Sequence, residues 1–335
     1  MEVQLAEGTN TTLAGYAETM FLSATAIYAV ALVLLVIELA TTRVTATAAR
    51  DRSRELVAAG GAPIATAGTP GLVVDDGPRR SRSERIGRMG YAVVVAGLLL
   101  HVASIVSRGI ATGRMPWGNM YEFVTITCAG AVLAALIMLR RSETRPILVF
   151  VLLPVLALMF VAEGVLYTTA GPVVPALKSY WLAIHVSIVS IGSGIFLVSG
   201  VASLLYLLRR RYERPDGTVA APSGFPGRLV EALPSAQVLD RVAYGTVIVA
   251  FPLFSAGVIC GAIWAEAAWG RPWGWDPKET VSFIAWVIYA AYLHARATSV
   301  WRMAAPYLNI LGFAAMVFNL FFINYVVTGL HSYAG

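Results

Sequence analysis

An all-α, polytopic integral membrane protein is the fold class the sequence predicts, on three observations. The 335-residue chain is 58% hydrophobic and only 13% charged, whereas soluble domains carry about 25% charged residues. Its apolar residues gather into eight runs close to the roughly 20 residues a helix needs to cross the hydrocarbon. Its basic residues fall overwhelmingly into the loops on one side of those runs.

The eight expected spans are Thr19–Leu39, Gly90–Ser107, Phe123–Leu139, Pro146–Ala162, Trp181–Leu208, Val242–Trp264, Thr280–Ala295 and Pro306–Gly329. The third, fourth and seventh are short, so they tilt little or extend into their flanks. Loops 40–89, 140–145, 209–241 and 296–305 together hold 20 Lys and Arg residues. The opposite side holds five: Arg108, Arg114, Lys178, Arg271 and Lys278. Basic residues mark cytoplasmic loops, so both termini and the segment between the sixth and seventh spans are expected outside. The net charge of +6 is thereby accounted for by topology and anionic lipid, and nucleic-acid binding is not expected.

Three regions follow along the chain. Residues 1–40 are an outer N-terminus and a first span, 41–88 a basic cytoplasmic loop, and 89–335 a membrane core of seven spans. The Gly/Ala/Pro/Thr-rich stretch 58–71 makes 41–88 read as a flexible linker, and loop 209–241 reads the same way. The first ten residues lack a basic n-region, so no cleavable signal peptide is expected. Cys128 and Cys260 lie in separate apolar runs with no C-x-x-C, which argues against a disulfide framework or thiol redox centre.

The densest chemistry lies in Trp264–Glu279, W-A-E-A-A-W-G-R-P-W-G-W-D-P-K-E, between the sixth and seventh spans. Tryptophan belongs at bilayer–water interfaces, but four indoles at nearly even spacing (Trp264, Trp269, Trp273, Trp275) form an aromatic surface suited to a flat apolar ligand with a polar edge. The chain has four histidines: His101, His185, His294 and His331. Ionisable groups inside a membrane are costly and tend to mark sites. His185 lies four residues inside the outer start of its span, on the helical face of Trp181, and His331 lies just past the outer end of the last span. Both reach the level of the tryptophan segment. Neutral imidazole is a good iron ligand, and two on opposite faces hold a haem axially. Arg108, Arg114, Lys178, Arg271 and Lys278 are then the candidate partners of its propionates, unranked.

His294 lies near the cytoplasmic end of the seventh span, about 3 Å inside its boundary at 1.5 Å per residue, and belongs to a second, inner site if it ligates iron. His101 lies about 20 Å from the inner boundary by the same rise, too far to share an iron with His294. A structural role, or a place on a path between the sites, fits it better. The inner site would then lack its second ligand within this chain, and a partner subunit could supply it. Asp276, Glu279 and Glu266 are candidate proton-transfer groups near the outer site. Asp276, Pro277 and Glu279 equally read as a helix start, with pairing to Lys278 or Arg271.

Five ordered motifs carry a resemblance. G-A-I-W-A-E-A-A-W-G-R-P-W-G-W-D-P-K-E-T (261–280) resembles the tryptophan-rich WWD motif of haem-handling proteins. Y-L-H-A-R (292–296), G-L-H-S-Y-A (329–334), G-R-M-P-W-G-N-M-Y-E-F (113–123) and W-L-A-I-H-V (181–186) accompany it in order. Together they resemble the CcsA (ResC) family of cytochrome c biogenesis proteins, across spans two to eight. The resemblance implies a membrane subunit of a two-component cytochrome c synthase that pairs with a ResB/Ccs1-type partner. It implies that haem b (protohaem IX) moves from the cytoplasmic side to an outer site. There its vinyl groups are joined to the C-x-x-C-H cysteines of apocytochrome c, a lyase-type reaction whose thiols a thioredoxin-like protein keeps reduced. By the same resemblance His185 and His331 match the outer axial histidines and His294 the inner transmembrane one. Trp269, Trp273, Trp275 and Asp276 match the core of the tryptophan motif. The added first span, the loop 41–88 and Val281, where relatives often carry an aromatic residue, depart from the pattern. A haem exporter without attachment chemistry, and a transporter using its histidines as a charge relay, are the competing readings; the second leaves the tryptophans unexplained.

Overall fold

The structure, a computed structural model, describes residues 9–58, 81–214, 219 and 225–331. Among them it is helical, with nine helices: α1 Thr11–Ala58, α2 Arg82–Thr112, α3 Met120–Met138, α4 Pro146–Gly164, α5 Tyr180–Tyr212, α6 Phe225–Ala232, α7 Ala236–Trp269, α8 Pro277–Ala297 and α9 Ala305–Tyr325. Seven are long and apolar enough to cross a membrane. α8 is more polar, yet it runs the same height. Its N-cap, Asp276, meets His331 beyond the end of α9, and Arg296 in its last turn pairs with Asp240 in the second turn of α7. The eight expected spans are thus present as α1–α5 and α7–α9, most of them lengthened at their ends by polar turns.

The linker reading of 41–88 needs correction. α1 continues to Ala58 and α2 begins at Arg82, so only 59–80 lie outside the described residues. The physical reason is local: A-T-A-A-R-D-R-S-R-E-L-V-A is rich in strong helix formers. At the other end, Ser81 accepts the Glu84 N–H as the N-cap of α2. Nor is the first span an appendage, because Phe21, Tyr28 and Leu35 belong to the same buried core as α2–α5 and α7. Loop 209–241 is likewise held rather than loose where it is described. Arg209 donates to the carbonyls of Val230, at 2.7 Å, and Leu233, at the end of α6.

The helices alternate in direction, and polar pairs mark the two ends. At one end Arg145 pairs with Glu38 at 2.7 Å, and Arg296 with Asp240. At the other, Asn10 N–H donates to Ala111 carbonyl. There too Glu122, whose side chain is fully buried, receives Arg108 Nε at 2.8 Å and Arg114 Nη1 at 2.9 Å. Arg114 also donates to Gly171 carbonyl at 3.0 Å. This knot fixes the loop before α3, whose Trp117, Gly118 and Asn119 wall the cavity described below.

α5 is the hub, packed against α3, α4, α7 and α9. Apolar helices gain nothing from hydrophobic exclusion in lipid, so close packing of small residues and interhelical hydrogen bonds must hold them. The run S-I-V-S-I-G-S-G-I-F-L-V-S-G-V-A-S supplies both. At Gly194 a Cβ would stand 2.5 Å from Thr127 carbonyl and from Ala131 nitrogen, so α3 backbone lies directly against α5. Ser199 and Ser203 hydroxyls each receive Asn309 Nδ2 at 2.7 Å, which ties α9 to α5. Gly194→Val should force α3 and α5 apart and sharply lower the yield of folded protein in detergent. Wild-type recovery and unfolding midpoint in that variant would contradict this packing.

Candidate functional site at one end of the helix bundle

A cavity of about 470 Å³ opens among α3, α4, α5, α7, α8 and α9, at the end of the bundle where the Trp264–Glu279 segment lies. Its walls are mostly apolar, with a few polar groups, which is the usual build of a small-molecule site. His185 and His331 both line it, as the sequence predicts from depth alone.

Each imidazole is held in a defined tautomer. His185 Nδ1 sits 2.7 Å from the Gly257 carbonyl. A carbonyl can only accept, so Nδ1 carries the proton and Nε2 keeps its lone pair. The ring stacks on Trp264, with centroids 6.2 Å apart and planes at 10°. It fits because residue 261 is glycine: a Cβ there would lie 2.7 Å from His185 Cε1. His331 Nδ1 donates to Asp276 Oδ2 at 2.8 Å, which again leaves Nε2 available. An imidazole whose second nitrogen is bonded to a carboxylate or carbonyl is the arrangement that orients metal-binding histidines. No cluster of three or more His, Cys, Asp or Glu side chains poised for a bare metal ion occurs among the described residues. The donor set is two imidazoles around an apolar, aromatic space, which fits a planar iron macrocycle rather than a free cation.

Asp276 therefore does two jobs. It caps α8, accepting the Lys278 N–H, while Glu279 accepts the Asp276 N–H at 3.1 Å. It also accepts the Leu330 N–H at 2.8 Å beside His331. Burial alone would raise its pKa, but the hydrogen bonds from His331, Leu330 and Lys278 outweigh that and hold the carboxyl below its usual value. It is an acceptor committed on both oxygens.

The four tryptophans divide. Trp264 is buried and lines the cavity with Trp273. Trp269 stands edge-on behind His331, with centroids 4.8 Å apart and planes at 79°. Trp275 points away: it is 64% exposed and adopts a φ of 58°, in the left-handed region that few non-glycine residues enter. Its ring meets Trp273 and Phe283 edge-on instead of the cavity. The five basic candidates divide as well. Arg108 and Arg114 are committed to Glu122, Arg271 stands 3.5 Å from Glu279, and Lys178 is exposed and away from the walls. Lys278 lines the cavity. His294 is exposed on the surface of α8 near its last turn. His101 is fully buried against Phe21 and Tyr28, with Tyr28 hydroxyl 3.4 Å from its Nδ1, and lies outside the cavity.

Several site residues escape a reading of the sequence alone. Trp117 Nε1 donates to Ala183 carbonyl at 2.6 Å and to Ser187 Oγ at 2.8 Å, which fixes one wall beside His185. Glu122 gathers two cations from either side of a loop. Asn319 and Asn324 line the cavity opposite α8. Amides inside an apolar span were the signal available for these two.

Fold and cavity define a class: a polytopic helical membrane protein with a partly open, aromatic, two-imidazole site at one end of the bundle. Comparison with known proteins agrees. Residues 117–331 match the model of the cytochrome c assembly protein family. Curated relatives include "Cytochrome c biogenesis protein CcsA" of Guillardia theta, 32% identical over 261 residues, covering 73% of this chain and 85% of the relative. The same-named protein of Thermosynechococcus vestitus is 33% identical over 283 residues, covering 74% and 86%. The chain belongs to the CcsA family of cytochrome c biogenesis proteins. In fold it is similar to a solved "Cytochrome c Heme Lyase CcmF", with a TM-score of 0.59 at 17% identity; the match covers 92% of this chain and 46% of that one.

The Asp276 bonds make a pH-dependent contribution with a definite sign. A carboxyl whose pKa is lowered by folding stabilises the fold above its unfolded value of about 3.9 and loses that contribution as pH falls through its folded value. The unfolding midpoint of the wild type should exceed that of Asp276→Asn at pH 6, and the gap should begin to shrink as pH falls below about 3.9 and close only below the depressed folded value. A gap that is unchanged across this range would show that the carboxylate charge is irrelevant.

Proposed function

We propose that the chain is the haem-binding membrane subunit of a cytochrome c synthase, and that haem b is its cargo. The observation that carries this reading is the pair of imidazoles on one apolar cavity, each with its Nδ1 proton committed to a neighbouring acceptor. His185 and His331 supply the two iron ligands through Nε2. Trp264 and Trp273 hold the ring, and Trp269 backs His331. Trp275 is the part of the motif that faces outward, toward the apocytochrome or the partner.

His294 serves the inner site. Its exposure on α8 supports a role in which the remaining ligand comes from a ResB/Ccs1-type subunit packed against that face. Haem enters on the cytoplasmic side of the cell or plasma membrane and is passed to the cavity at the opposite face. There the chain's residues orient the ring and keep it from water, while a cysteine thiol of the C-x-x-C-H segment reaches a vinyl group. The S–H adds across the C=C: sulfur bonds to one carbon and the hydrogen goes to the other, with no net oxidation. Reduced thiols must arrive with the substrate, because Cys128 is buried in the core and Cys260 lies elsewhere in the bundle.

Purified with its partner, the wild type should carry haem with a low-spin, bis-histidine visible spectrum. His185→Ala and His331→Ala should each abolish that spectrum and cytochrome c assembly. His294→Ala should lower loading of the outer site several-fold while leaving its spectral type intact. Thioether product from the reconstituted complex separates a synthase from a haem exporter. Unchanged spectra in both outer variants would refute the ligand assignment.

A further inference from the structure

Among the described residues no carboxylate comes within salt-bridge distance of the Lys278 ammonium, although Asp276 acts on it through space. Two acids flank it in sequence, and both are engaged elsewhere. Asp276 directs its carboxylate to His331 Nδ1 and the Leu330 N–H. Glu279 accepts the Gly274 N–H at 2.8 Å and the Asp276 N–H, and faces Arg271. Among the described residues Lys278 forms no ion pair; its ammonium donates to the neutral Asn324 Oδ1. Asn324 is itself anchored through Nδ2 to the Leu320 carbonyl, so it aims the lysine rather than neutralising it. The neighbouring Asn319 donates to Ser282 Oγ at 2.8 Å, and Lys278, Ser282, Asn319 and Asn324 all border the cavity.

An ammonium withdrawn from water is costly unless an anion and hydrogen bonds compensate it. A lysine has three donors, and here one of them is used, on Asn324. Lys278 is also the one lysine or arginine among the described residues that line the cavity. We propose that Lys278 is the carboxylate-binding group of this cavity and that it takes a propionate of the ring. The proposal rests on the haem reading and deepens it. Pairing there turns the propionate edge toward the start of α8 and the vinyl edge away from it. Lys278 would then decide which edge of the ring is presented for thioether formation. Arg108, Arg114, Arg271 and Lys178 are left without that role.

The test compares protohaem with its dimethyl ester, in which both propionates are uncharged, on the full chain in nanodiscs. The wild type should bind protohaem more tightly than the ester by on the order of tenfold or more, the size of one charge-assisted hydrogen bond. Lys278→Met should lose that preference, and Lys278→Arg should keep most of it, all with a bis-histidine spectrum. Equal affinity of the wild type for both ligands with that spectrum intact overturns the proposal alone, and so does an undiminished preference in Lys278→Met. Absence of the bis-histidine spectrum from wild type with protohaem overturns the haem reading as well. The wild-type comparison needs no variant, so a misfolded Lys278→Met does not leave the question open.

Discussion

The Asp276 carboxylate is the joint on which the cavity end of the molecule depends. It begins α8 by accepting the Lys278 N–H, and it fixes the turn after α9 by accepting the Leu330 N–H. It also sets the tautomer of His331. The turn is packed tightly enough that a Cβ at Gly329 would lie 2.6 Å from Asp276 Oδ1. One side chain therefore couples the helix that follows the tryptophan segment to a histidine 55 residues later. An acid is required. A neutral acceptor would cap the helix but would not stabilise an imidazole N–H so strongly, because charge-assisted hydrogen bonds are roughly twice as strong as neutral ones.

From that joint the cavity is built by division of labour. α5 contributes His185, and the absence of a side chain at Gly261 lets its ring lie against α7. α7 contributes Trp264, which both histidines contact from different directions. The knot of Arg108, Arg114 and Glu122 contributes no direct ligand. It holds the loop carrying Trp117, which closes the side facing α5. The guanidiniums neutralise one buried carboxylate, and the only lysine or arginine lining the cavity, among the described residues, is Lys278. A largely apolar cavity bordered by one cation and two imidazoles has a polarity direction.

Much of this was legible in the sequence, for physical reasons. Hydropathy and the distribution of arginine are determined by the bilayer, so eight spans and the placement of His185 and His331 at one level follow from helical rise alone. α8 shows the limit: its polar start and end dilute its hydropathy, and only the contacts of Asp276 and Arg296 show that it spans the full height. Long-range pairings were not legible. Nothing local distinguishes Trp264, buried beneath the site, from Trp275, turned outward by a left-handed backbone. Arg108 and Arg114 looked as available as Lys278 until Glu122 was seen to hold both. The helix-cap reading of Asp276 holds, and of the expected acid–base pairs Glu279 with Arg271 is present; the Asp276 side chain itself is partnered by His331. Composition also misjudged residues 41–58, where glycine and proline further along the chain masked a helix-forming segment.

The proposed haem site requires His185 and His331 to clamp one iron within the cavity backed by Trp264. An experimental structure of the full chain loaded with haem tests it most directly. The macrocycle is expected between α5 and the turn after α9, with iron at bonding distance from Nε2 of both histidines and each Nδ1 still on Gly257 carbonyl or Asp276. A ring lying outside the cavity, against Trp275 and Phe283, or an iron bound by only one of the two imidazoles, would contradict it.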